Sequence, residues 1–216
     1  MDQTIFHLIN EQWTSPALDL FMAAMSDMGV WWPLVVALVL YLLFLRGFKG
    51  RAFIVCVGLT LLFSETVVVQ GLKKSVGRQR PKQAQKVRLV QLQPAKPKIL
   101  TLLQKPRAHY SEAWQRQEKG TSFPSAHTAN NFIVATFCAL FFRRWGWLYF
   151  FVAAAVAYSR VYLGAHWPSD VMTTAFLAIG LALLMAALFE WIWRSAGQRW
   201  TPELYRQHPR LLVEAP

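Results

Sequence analysis

Seven polar residues in three short clusters are the ones in this chain whose types and spacing could do chemistry. Lys73 and Arg80 stand in Lys73-x6-Arg80-Pro81, Ser125 and His127 in Pro124-Ser125-Ala126-His127, and Arg160, His166 and Asp170 in Ser159-Arg160-x5-His166-x3-Asp170. They supply three permanent cations, a hydroxyl, two imidazoles and one carboxylate. A phosphoryl group in transfer carries charge on its peripheral oxygens, which fixed cations and N–H groups stabilise. One histidine can attack phosphorus while another protonates the leaving oxygen. The set therefore suits transfer of a phosphate through a histidine, without a metal.

Taken singly, each residue has a plainer reading. Ser125 precedes an apolar helix, where its hydroxyl can cap the N-terminus and the first N–H groups attract an anion. By itself an ordinary cap is the better reading. His127 falls in that first turn, facing the interface. Pro168 suits the first position of a helix, which leaves His166 just outside it and Asp170 in the first turn, close enough to reach back to the imidazole. A carboxylate on one ring nitrogen would fix the tautomer and free the other nitrogen to attack; a polar pair at a helix start fits equally well. Arg160 ends an apolar segment, where a cation needs an anionic partner. Lys73 and Arg80 are crowded by Lys74, Arg78 and Lys82, and spacing does not decide which of these reaches a site. Arg80, preceding Pro81, is held extended and could turn back over a pocket.

The elements that must position these residues are apolar. Of the 216 residues, 55% are hydrophobic and 16% charged. The apolar residues fall in five blocks, most of them near the ~20 residues that cross ~30 Å of hydrocarbon. The sequence predicts an all-α, integral membrane helical bundle with spans over about 30–46, 51–72, 125–142, 145–164 and 169–194. Residues 15–29 form a sixth candidate, read as an amphipathic helix at the interface because Asp19 and Asp27 argue against a span. Gly29 is expected to stop that helix. The whole chain, 1–216, reads as one domain, with no cleavable signal peptide in residues 1–14. Cys56 and Cys138 lie inside apolar blocks and suggest buried small hydrophobes.

Residues 73–123 form a long extramembrane loop with thirteen Lys/Arg against two Glu, +11 of the chain's +12. Its middle, Lys82 to Lys105, is expected to be poorly structured, with a short helix over Tyr110–Trp114. That middle reads as solvated or lying on anionic head groups. Arg46, Lys49, Arg51, Arg143, Arg144 and the basic tail put the short turns and C-terminus in the cytoplasm, which leaves the N-terminus and the long loop outside. Up-and-down threading then brings all three clusters to one membrane face. Glu65, inside the second span, reads as a structural partner or pocket wall. Trp residues gather at span ends, as an aromatic belt does.

The three clusters together resemble the signature of the type 2 phosphatidic-acid phosphatase superfamily, K-x6-R-P, P-S-G-H and S-R-x5-H-x3-D, with Ala126 in place of the glycine. The resemblance implies His166 as the nucleophile, Asp170 as its orienter and His127 as the general acid. It implies Lys73, Arg80, Ser125 and Arg160 as phosphate ligands, with no metal or other cofactor. The implied activity is a bacterial inner-membrane lipid phosphate phosphatase with its site facing outward, its partners being lipid phosphates and membrane lipids rather than nucleic acid. Compact size and an outward site favour undecaprenyl pyrophosphate as substrate. Phosphatidylglycerophosphate, phosphatidic acid and lipid A are the alternatives, and phosphotransfer uses the same residues. The soluble vanadium haloperoxidases share the signature, but five apolar blocks speak against them. A non-enzymatic protein binding anionic lipid through its basic loop is the remaining reading.

Overall fold

The computed structural model describes residues 1–112 and 120–212. Helix α1 (Asp2–His7) runs on as a wider π-helical turn, Leu8–Gln12. Ser15 caps α2 (Pro16–Ser26), accepting the Leu18 N–H at 3.2 Å, with Pro16 in the first turn. The break before α3 (Met28–Leu45) falls at Asp27, not Gly29. Asp27 is extended, and its carboxylate accepts the Gly29 N–H at 2.8 Å, so Gly29 becomes part of the first turn of α3. Helix α4 (Gly47–Phe63) continues through a π-helical stretch, Ser64–Val69, into α5 (Gln70–Val76), and a short α6 (Pro81–Ala84) follows. After the long connection come α7 (Ala126–Phe141), α8 (Tyr149–Tyr162), α9 (Pro168–Trp200) and α10 (Pro202–Gln207).

Among the described residues, three helices are long and apolar enough to cross a membrane: α3, the one that begins at Gly47, and α9. They make the chain a multi-pass membrane protein. Helices α7 and α8, predicted as full spans, have 16 and 14 residues, or ~24 and ~21 Å of rise. Both are short of ~30 Å of hydrocarbon. Helix α7 is central, packed against α4, α8 and α9. Ile133, Phe137 and Phe141 recur at four-residue spacing on it, all with at most 1% exposure. They meet Ala178, Ala182 and Ala186 of α9, a row of small side chains that lets two backbones approach closely. The turn into α8 is equally tight: a Cβ on Gly146 would lie 1.8 Å from the Cys138 carbonyl oxygen.

The predicted loose middle of the long loop is instead ordered. Strands β1 (Arg88–Gln91) and β2 (Arg107–Tyr110) pair antiparallel, Arg88 opposite Tyr110 and Gln91 opposite Arg107, with a 3-10 turn at Lys98–Leu103 between them. Buried polar anchors hold this ribbon to the bundle. Asn10, fully buried, donates to the carbonyls of Arg88 and Tyr162 at 2.8 and 2.7 Å and accepts the Arg88 N–H at 3.0 Å. Arg88 makes a two-pronged bond to Asp19, at 2.8 and 2.6 Å, and the Tyr162 hydroxyl donates to the same carboxylate. Helix α2 therefore packs on α8 and β1, with Met22 and Ala23 in the apolar cluster beneath the ribbon. Tyr110 ends a strand where a helix was expected, and Trp114 lies outside the described residues.

Candidate active site

The start of α7 is set by Ser125, whose Oγ accepts the Thr128 N–H at 3.4 Å and the Thr128 hydroxyl at 3.0 Å. Its own N–H donates to Thr174 Oγ1 of α9 at 3.1 Å, fixing the two helices at this level. Ser125 is fully buried in that cap. His127, in the following turn, is exposed to a cavity of about 480 Å³ that Ser26, Asp27, Gln91 and Leu163 also line. Arg160 of α8, Lys73 of α5 and Arg80 all act electrostatically on the His127 ring. The two arginines act on His166 as well. The structure thus gathers cations from three separate elements around the two imidazoles.

Arg80 is the N-cap of α6. Its N–H donates to Gln83 Oε1 at 2.7 Å and its Nε to the Thr121 carbonyl at 3.2 Å, which turns the guanidinium toward the segment leading into α7. Arg160 donates from Nη1 to the Ser26 hydroxyl, while its Nε is buried and has no hydrogen-bond partner among the described residues. An unsatisfied buried donor costs about 1–3 kcal/mol. An anionic oxygen entering here would satisfy it.

His166 stands just before α9, as Pro168 at the first helical position predicts, and is 3% exposed. Its Nδ1 is bonded to the backbone carbonyl of Ser122. A carbonyl only accepts, so Nδ1 carries the proton and Nε2 keeps a lone pair. Burial and the Arg160 cation hold the ring well below the ordinary imidazole value, outweighing the Ser122 bond, so His166 is neutral at pH 7.

Asp170 does not take the direct place on the imidazole that its spacing suggests. It is the third residue of α9, and a carboxylate there reaches back to the N-cap N–H; it accepts that of Trp167 at 3.2 Å. Its side chain is fully buried, accepting the Ser122 hydroxyl on one oxygen and Arg78 Nη1 at 2.6 Å on the other. Asp170 and His166 are therefore joined through Ser122, whose hydroxyl faces one and whose carbonyl faces the other. Arg78 is fixed in turn by Asp2, at 2.6 Å from Nη2, and Asp2 also accepts the Ser169 N–H and hydroxyl at 3.0 and 2.6 Å.

Arg78, Ser122, Asp2 and Ser169 belong to no sequence cluster as site residues. In the sequence Arg78 is one of several crowded cations, and nothing near Ser122 marks it. Glu65 lies on the π-helical stretch after α4, its Oε2 buried and without a hydrogen-bond partner among the described residues.

Residues 51–194, two thirds of the chain, match the PAP2 superfamily. A protein named Lipid A 4'-phosphatase from Bacteroides thetaiotaomicron is 32% identical over 169 residues, covering 76% of this chain and 66% of the relative. The "Putative undecaprenyl-diphosphatase YbjG" of Escherichia coli is 39% identical over 79 residues, 36% of this chain and 38% of the relative. Both alignments span less than two thirds of the relative's own length. The crystal structure of Aquifex aeolicus LpxE superposes with a TM-score of 0.55 at 26% identity, covering 85% of this chain and 93% of that one. The family match runs through most of the residues just described, from Lys73 to Asp170, and so the chain belongs to the PAP2 superfamily.

Proposed function

We propose that this protein is a lipid phosphate phosphatase that works through a phosphohistidine at His166. The observation that carries the reading is the His166 ring, neutral, protonated at Nδ1 by its bond to the Ser122 carbonyl, and flanked by cations. Its Nε2 lone pair forms the N–P bond as the P–O bond to the lipid breaks, and His127 gives a proton to the departing oxygen. Water then attacks the phosphohistidine and loses a proton to His127, which releases phosphate and restores both imidazoles. Lys73, Arg80 and Arg160 hold the phosphate oxygens, with the unpartnered Arg160 Nε as one donor, while Ser125, fully buried, serves by capping α7 beside them.

For the lipid, we favour lipid A type phosphates over the undecaprenyl pyrophosphate that the sequence suggested first. The Lipid A 4'-phosphatase relative aligns over 76% of this chain, whereas YbjG aligns over 36%. The cavity beside His127 supports the same choice: Ser26, Asp27 and Gln91 offer hydroxyl, carboxylate and amide groups to a head group bearing hydroxyls. We further propose five spans, in which residues flanking α7 and α8, such as the 3-10 turn before α8, complete the crossing, with the site at the outer face of the inner membrane.

The test is purified protein in detergent, assayed side by side on lipid A, undecaprenyl pyrophosphate and phosphatidylglycerophosphate. His166→Ala should abolish phosphate release and any acid-labile 32P label trapped on the protein, and wild-type activity should survive excess EDTA. Release by His166→Ala at the wild-type rate would overturn the mechanism. Undecaprenyl pyrophosphate turned over tenfold faster than lipid A would overturn the substrate.

A further inference from the structure

We infer that the 3-10 turn Lys98–Leu103 at the tip of the ribbon is a membrane anchor that seats in the outer leaflet beside the cavity mouth. The turn belongs to the extramembrane segment, yet Ile99, Leu100 and Leu103 are exposed, Leu103 by 83%. Three large apolar side chains on one turn of six residues have no reason to face water. Its depth is fixed by α3. Lys98 Nζ pairs with Asp27 at 3.5 Å, and the Lys98 side chain lies directly over Gly29, so that a Cβ there would come within 2.4 Å. The turn therefore sits level with the first turn of a membrane-spanning helix. Trp31 and Trp32, one turn further along α3, are exposed at that level, where amphipathic rings mark the border of hydrocarbon and head groups.

The charge around the turn matches the same surface. Lys96 and Lys105 flank it, both exposed, and Gln93 Nε2 closes the hairpin on the Lys105 carbonyl at 3.0 Å. Apolar side chains at the tip with lysines behind them make the pattern of a segment bound to an anionic bilayer surface. The ribbon's other end is bound to α2 and α8 through Arg88 and Asn10. The anchor thus ties the cavity wall, which Val90, Gln91 and Leu92 form, to the leaflet from which a lipid enters.

The experiment reads depth without relying on catalysis. The full chain with Cys56→Ala and Cys138→Ala carries a nitroxide at Leu103→Cys or, separately, at Gln93→Cys, and is reconstituted in vesicles of 7:3 phosphatidylcholine and phosphatidylglycerol. Expected is a label at 103 collided with by oxygen more than by a water-soluble nickel complex, with the order reversed at 93. A label at 103 as accessible to nickel as the one at 93 overturns the inference. In parallel, a Leu100→Asn/Leu103→Asn variant should lose about five- to tenfold in kcat/KM on lipid phosphate held in vesicles, and stay within twofold on a soluble short-chain lipid phosphate. Equal losses on both substrates, or none on either, overturn it. If the protein hydrolyses neither substrate, the collision measurement still decides.

Discussion

Arg78 offers the sharpest test of how the site is held. It is the cation facing the buried Asp170 carboxylate, at 2.6 Å, and through its other nitrogen it grips Asp2. Breaking a buried ion pair by removing one partner costs about 3–5 kcal/mol. Two features lower that figure here. The Arg78 side chain is 37% exposed, so water screens part of the interaction. The carboxylate also keeps the Ser122 hydroxyl and the Trp167 N–H. Arg78→Met should therefore cost about 2–3 kcal/mol, which for a chain of this size lowers the melting temperature by roughly 4–12 °C. Because Asp170 holds Ser122, and Ser122 holds His166, kcat should fall at least tenfold with KM changed less than threefold. Arg78→Lys should recover part of the stability and little of the rate, since one ammonium cannot grip both carboxylates as the fork does. The assay is thermal unfolding and steady-state hydrolysis in detergent, run as a double-mutant cycle with Asp170→Asn. Arg78→Met within 1 °C of wild type, or effects of the two substitutions that simply add, would refute the linkage.

Two more predictions concern the segment between α8 and α9. The unfolded chain protonates His166 near pH 6.5, while burial and Arg160 delay protonation in the folded state to much lower pH. Between those values the unfolded state binds more protons, so stability is lost as pH falls below about 6.5. His166→Asn, whose amide can still donate to Ser122, should lose less stability from pH 7 to pH 5 than wild type in urea unfolding at each pH; parallel curves would count against a buried neutral ring. Gly164 has φ +71°, and a Cβ there would stand 3.1 Å from Val87 Cγ2 and 3.2 Å from the Arg88 carbonyl. Gly164→Ala should cost about 1–3 kcal/mol by left-handed strain plus ribbon displacement, read as a lowered urea midpoint.

Helix starts were the most legible part of this chain. Ser125, and Pro168 in the first turn of α9, mark the N-termini of α7 and α9 by local chemistry, and the structure begins those helices at Ala126 and Pro168. The partner of Asp170 was not legible, because a carboxylate at that position has several donors to choose from. The choice depends on Arg78 and Ser122, which are 92 and 48 residues away. The ribbon failed for a related reason. Strands of four residues carry almost no periodicity, and their order comes from Asn10 and Asp19, contacts 78 and 69 positions distant. Helix ends inside the apolar blocks were less legible. The run from Trp145 to Tyr158 is free of charge, but the helix within it starts only at Tyr149, after a 3-10 turn.

The bond from His166 to a backbone carbonyl has a consequence for turnover. Once phosphorylated on Nε2 with Nδ1 still protonated, the ring is a cation, and its hydrogen-bond partner is a neutral dipole rather than a carboxylate. Arg160 and Arg80 raise the potential around it further. An N–P bond in those surroundings is a high-energy one: electron density is drawn toward the ring, and the phosphorus is left open to attack. On the phosphohistidine route the covalent state is thereby kept short-lived, and water finds a phosphoryl group ready to leave.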